Sequence, residues 1–191
     1  MARPFYRAIV DAGLILQIDA PDIVDAWTWD RWTDLTAYRK DVEMRLDALR
    51  GAIEGLPEER VRLHLCWGSW HGPHTGALPL SEVIDLVYTV PAQCYSIEAA
   101  KPNHTHEWRV FAEHPLPDGR TIMPGVIDHT TAIVEHPRVI ADRLVAYADV
   151  VGAENVVAGT DCGMRRDSRV EWAKLQAMVD GARLASAELF A

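Results

Sequence analysis

The sequence predicts an α/β fold on a parallel sheet, and three observations carry that expectation. Short apolar or alternating runs recur at residues 14–19, 61–68, 93–99, 121–128 and 155–161, with amphipathic stretches of helical period between them. A strand followed by a helix, repeated in this way, requires parallel pairing through crossover connections. The reactive side chains also gather at C-terminal strand ends: Asp19, then His64 with Cys66, Glu98, Asp128 with His129, and Asp161 with Cys162. In a parallel sheet, and above all in a β/α barrel, that is the face where ligands bind and chemistry happens.

Taken in order, residues 4–12 form the last turns of a helix ended by Gly13, and the run LILQID is a buried strand stopped by Pro21. Residues 22–34 are a Trp-rich loop whose rings pack over the chain. Residues 35–53 are helical, with Tyr38, Val42, Leu46, Leu49 and Ile53 on one stripe, closed by Gly55 and Pro57. The second strand, VRLHLCWG, leads into SWHGPHTG, where His71 and His74 are further ligand candidates, although loop histidines are usually solvated. A helix over 80–90 follows, with Ser81 as its cap. Then come the third strand and a short helix in HTHEWRVF. The fourth strand contains Pro124 near its C-terminal end, where the missing N–H is tolerable. A helix over 135–151, the fifth strand and a long amphipathic helix over 169–190 complete the chain.

Composition narrows the function. With 191 residues, 49% hydrophobic and 25% charged, residues 1–191 make one ordinary soluble domain. A formal charge of -9 argues against nucleic-acid and anionic-membrane partners, and no apolar run approaches membrane-spanning length. The first residues lack a signal-peptide pattern. Cysteines 66, 94 and 162 are an odd number, so a cytoplasmic setting with reduced thiols is expected, favouring metal binding or catalysis over disulfides.

Within VRLHLCWG, period two puts His64 and Cys66 on one face of a strand, where both can reach a single zinc ion. Alone, H-x-C is equally a buried histidine and thiol at a strand end, and Cys94, at a strand's beginning, reads as core. The ordered set LILQIDAP, RLHLCWG, YSIEAA, PGVID and GTDCG resembles the C-terminal catalytic barrel of cobalamin-independent methionine synthases and their shorter relatives, including epoxyalkane:coenzyme M transferase. The resemblance covers essentially the whole chain.

That resemblance implies a partial TIM (β/α)8 barrel comprising about the last five β/α units. It also implies a zinc ion (Zn2+) held by His64, Cys66, Glu98 and Cys162, with Asp19 contacting an amino-acid substrate and His129 as proton donor beside Asp128. Two departures stand out: Ala20 replaces the usual acidic residue after Asp19, and His129 is shifted by one position from the family's pattern. The implied partners are a small-molecule thiol and an alkyl donor. The implied reaction is methyl transfer from a 5-methyltetrahydrofolate-type donor to homocysteine, a step of methionine biosynthesis. The alternatives are addition of a small sulfonate-bearing thiol to an epoxide and an inactive truncated zinc-binding fragment; the CWGSWHGPH loop, closer to the shorter relatives, favours a different electrophile or thiol without identifying it. In this donor set the carboxylate is the weak member, so a substrate thiol could displace Glu98.

A complete barrel has eight strands and typically ~250 residues, so the chain is expected to be N-terminally truncated. Its outer strands would then have unpaired edges. The expectation is an open arc whose inward side chains, among them Leu14, Leu16 and Ile18 or their alternates, expose an apolar surface, leading to self-association or poor solubility.

Overall fold

The computed structural model describes residues 3–68, 75–164 and 167–191. His71 and His74 lie outside them. The elements are α1 (Arg3–Asp11), β1 (Leu16–Asp19), α2 (Pro21–Val24), α3 (Ala26–Trp29), α4 (Leu35–Ile53), β2 (Val61–Leu65), α5 (Ile84–Val87), β3 (Cys94–Ile97), α6 (Val110–Glu113), β4 (Thr121–Ile127), α7 (Pro137–Val151), β5 (Gly159–Thr160) and α8 (Ser168–Leu189). The strands make a five-stranded parallel sheet in the order β1-β2-β3-β4-β5. This is an open half-barrel, with β1 and β5 at its edges.

The convex face of the sheet holds the larger core. Leu16 and Ile18 of β1, Leu63 and Leu65 of β2, and Tyr95 and Ile97 of β3 are buried there with Tyr38, Val42 and Leu46 of α4. A second cluster joins Val126 and Ile127 of β4 to Ile140, Ala141 and Leu144 of α7 and to Ala177 and Ala185 of α8. Asp34 caps α4, its side chain accepting the Ala37 N–H, and Asp167 caps α8 by accepting from Arg169. Among the described residues, no helix is long and apolar enough to cross a membrane.

Four details depart from expectation. Strand β1 starts at Leu16, and Leu14 and Ile15 are 59% and 50% exposed. Its outward-inward alternation sends Leu16 and Ile18 to the helices, so the inward positions are Gln17 and Asp19, and the concave face mixes polar strand residues with apolar ones such as Met123 and Trp172. The Trp-rich segment is two single-turn helices, α2 and α3, from which Trp27 and neighbouring Trp32 pack edge-on against Tyr38. The expected helix over 80–90 breaks into a 3-10 turn, Leu80–Glu82, and α5, without a cap from Ser81. There the Leu80 N–H is satisfied by the buried Glu107 carboxylate at 2.8 Å, a tertiary partner that local pattern does not reveal. Finally, β5 proper is two residues long, preceded by a lone bridge between Ile122 and Val156. The β4–β5 register is irregular between Gly125 and Ile127, immediately after Pro124.

Gly125 sits where β4 and β5 come closest. A Cβ there would fall 2.0 Å from Asp161 Oδ1 and 2.5 Å from its Cα, so only glycine lets β5's end close onto β4.

Candidate metal centre

Parallel register builds the site one row at a time. Asp19 pairs with His64, His64 with Ser96, and Ser96 with Met123, so these side chains form one row across four strands. Cys66 lies two residues beyond His64, and Glu98 two beyond Ser96. Cys162 arrives from the loop after β5. His64, Cys66 and Cys162 place their donor atoms within 4.8 Å of one another. The two sulfurs are 3.5 Å apart. His64 and Cys162 border a concavity of about 650 Å³ whose walls also include Gln17, Asp19, Arg62, Thr160 and Trp172.

Ser96 orients His64. Its Oγ lies 3.0 Å from His64 Nδ1, and His64 Nε2 is buried with no hydrogen-bond partner. An imidazole fixed through one nitrogen, with the other unsatisfied beside two thiols, is the arrangement a metal-ligating histidine requires. The thiols are unlike one another. The adjacent Cys66 thiol and His64 imidazole hold Cys162 well below the usual thiol range. Cys66, tied to Cys162 and buried, is pushed far up. Burial works against charging His64, but the adjacent Cys162 sulfur, Asp19 and Glu98 outweigh it and raise its pKa. Two thiols of unlike acidity beside an imidazole nitrogen without a partner form a donor set suited to zinc, which binds them deprotonated.

Glu98 is brought to the site's edge but not into this triad. It is fully buried; Oε1 accepts the Trp67 N–H at 2.9 Å, and Oε2 is in ionic contact with Lys101 Nζ at 2.6 Å. Burial raises its pKa, with Lys101 opposing. Asp19 opens onto the concavity, its carboxyl raised by burial against the pull of His64. Asp128 Oδ1 closes a turn by accepting from the Thr130 N–H and hydroxyl, both at 2.7 Å. His129 is buried with both ring nitrogens unsatisfied, and burial together with the Lys101 charge pushes it down to about 4, a neutral ring at pH 7. Asp128 and His129 converge with Asp161, which is completely buried and raised to about 7 by burial. Asp161 Oδ1 accepts the Ala99 and Ala100 N–H groups, both at 2.8 Å, and so ties the end of β5 to that of β3. Cys94 is buried at the start of β3, away from the triad.

Ser96 and Lys101 are the site residues that the motifs alone did not single out. Ser96 could be found from the register of two neighbouring H-x-C and S-I-E strands, whose first members share a row. Lys101 carries no such signal.

Comparison with known proteins agrees with this architecture. The family description "Cobalamin-independent synthase, Catalytic domain" matches residues 7–184. Among curated relatives, 2-hydroxypropyl-CoM lyase of Xanthobacter autotrophicus is 23% identical over 92% of this chain and 52% of its own length. A methionine synthase of Methanothermobacter marburgensis is 28% identical over 92% of this chain and 53% of its own. The chain thus spans about half the length of these relatives. The structure of a B12-independent methionine synthase from a Shewanella species, solved in complex with selenomethionine, matches 99% of this chain and 53% of that one with a TM-score of 0.77 at 23% identity. That likeness establishes the fold, and the family match over residues 7–184 establishes descent: the chain belongs to the cobalamin-independent synthase catalytic-domain family.

Proposed function

We propose that this chain carries the thiol-activating centre of a zinc-dependent S-methyl transfer of the methionine synthase type, from a 5-methyltetrahydrofolate-type donor to homocysteine. The observation that carries it is the convergence of a His64 ring nitrogen, Cys66 Sγ and Cys162 Sγ within 4.8 Å, with His64 Nε2 buried and unpartnered. These three residues would hold zinc. When bound, zinc supplies Lewis acidity that lowers a substrate thiol's pKa from about 8.5, so that a thiolate nucleophile exists at neutral pH.

The chain's own residues supply the rest. Ser96 fixes the His64 ring, and the Cys66 and Cys162 sulfurs lie close enough to share one ion. Asp19, on the same row and open to the concavity, is positioned to bind a cationic substrate group such as an α-ammonium. His129, neutral and buried, is suited to donating an N–H to a leaving group. Trp172, 72% exposed on α8, and Met164 supply apolar walls.

The decisive test is the metal content of the purified chain. About one zinc per chain is expected, falling severalfold or more in Cys66→Ser and Cys162→Ser. Undiminished zinc in both variants sinks the assignment.

A second reading, addition of a sulfonate-bearing thiol to an epoxide, is favoured by Ala20, which leaves Asp19 without a second carboxylate beside it for an amino group. Calorimetry in buffers of different ionisation enthalpy separates the two. The zinc-loaded chain should release about one proton on binding homocysteine if the first reading holds, and on binding a sulfonate thiol alone if the second does.

A further inference from the structure

The ends of β4 and β5 carry a second convergence of donor atoms, separate from the thiol pair. Asp128, His129 and Asp161 each place one nitrogen or oxygen within 4.8 Å of the others. Donors bound at about 2.1 Å to a shared ion stand about 3–4 Å apart, so the three are spaced for one small cation. Spacing alone would mean little, and burial decides. His129 is 6% exposed and neither of its ring nitrogens has a hydrogen-bond partner; Asp161 is 0% exposed and its Oδ2 has none. Buried polar groups are costly without a partner, and one ion between these side chains satisfies both.

The rest of each carboxylate is already anchored. Asp161 Oδ1 accepts the Ala99 and Ala100 N–H groups, both at 2.8 Å, which leaves Oδ2 as its uncommitted oxygen. Asp128 Oδ1 is taken by Thr130, and Glu135 accepts the Asp128 N–H at 2.7 Å, so the turn is held in place before an ion arrives. Charge and donor chemistry choose the ion. Two carboxylates balance a divalent charge, His129 is a neutral ring at pH 7, and the neighbouring cation, Lys101, is itself paired with Glu98 at 2.6 Å. With no thiolate among the donors, the set favours a harder ion such as Mn2+ over the zinc suited to His64, Cys66 and Cys162.

We propose that Asp128, His129 and Asp161 form a second cation site, for a divalent ion of the manganese class, which fastens the turn after β4 to the end of β5. The site shares no ligand with the thiol pair, so the inference stands independently of the zinc-centre reading. Ligation through one ring nitrogen leaves the other as an N–H, the form in which His129 serves the proposed transfer.

Mn2+ titration of the full chain carrying one equivalent of zinc, followed by loss of the free-ion EPR signal, tests this. About one Mn2+ per chain is expected. Asp128→Asn and His129→Gln should each weaken its binding at least about tenfold, whereas Cys66→Ser/Cys162→Ser, measured without zinc, should stay within about threefold of the parent. No Mn2+ binding by the parent, binding undiminished in Asp128→Asn or His129→Gln, or loss of binding in the double cysteine variant overturns the inference. None of these outcomes touches the zinc assignment, which the zinc content of Cys66→Ser and Cys162→Ser decides. If a variant does not fold, NMR of the parent decides: bound Mn2+ should broaden the amide signals of Ala99, Ala100 and Asp128 before those of α4, and broadening that starts elsewhere overturns the site.

Discussion

The Tyr38 phenol is fully buried, donates to the Ile23 carbonyl oxygen at 3.0 Å and lies edge-on to Trp27 and Trp32. Burial pushes its pKa up to about 12. A phenol that ionises near 10 when unfolded but near 12 when folded stabilises the native state fully below pH 10, and that contribution is lost as pH rises from 10 through 12. The loss amounts to about 3 kcal/mol. Denaturant titrations at pH 9 and pH 12 should show it, and Tyr38→Phe should flatten the alkaline slope; an unchanged slope removes Tyr38 as its source. At this scale the sequence was informative where identity and period suffice. His64 and Cys66 share a strand face and Tyr38 belongs to a helical stripe, as period implies, and Cys94 is buried, as free cysteines commonly are. What it could not show were partnerships across the sheet. Ser96 on His64 depends on the β2–β3 register, and Lys101 on Glu98 depends on a loop returning over its own strand end.

Helices α7 and α8 meet at Gly181. A Cβ there would fall 2.5 Å from Ile140 Cγ2 and 2.8 Å from the Pro137 carbonyl oxygen, so the two helices approach at a distance only glycine permits. Gly181→Ala gains helix propensity but must push α8 outward, and the net effect should be a destabilisation of about 1–3 kcal/mol. Thermal or urea unfolding checks the sign: a stabilised Gly181→Ala would mean that the helices separate without cost. The same interface holds a buried ion pair, Lys174 to Glu135 at 2.8 Å, and Glu135 also accepts the Asp128 N–H, so α8 braces the turn that carries Asp128 and His129. Long elements were legible in the sequence because their stripes span several turns, as α4, α7 and α8 show. The segment over 80–90 was not, since its apolar residues fit a helix while its first N–H is claimed by Glu107 from a distant turn. Strand β5 was overestimated for a related reason: NVVAGTD is apolar enough for a strand, but irregular pairing after Pro124 leaves only two residues in the ladder.

Among the described residues the strands form an arc with β1 and β5 outermost and a concave face of Gln17, Asp19, Arg62, His64, Ser96 and Met123. The polar strand residues weaken the case for association through that face, but the β1 edge and the exposed residues leading into it keep one route open. Light scattering should show concentration-dependent association of the chain, relieved in Ile15→Lys, which puts a charge at the mouth of that edge; a monomer at all concentrations would show that the open edge is tolerated. The strands follow one another in sheet order, so each can settle on its predecessor as it leaves the ribosome. Cys162 does not share this timing. It stands 96 residues after Cys66, its partner across the arc. Until it emerges, the nascent chain offers a passing ion only His64 and Cys66 as members of the triad, a weak chelate that exchanges freely. The proposed centre therefore cannot close before β5 docks, and metal retention would report that the chain has folded through that strand.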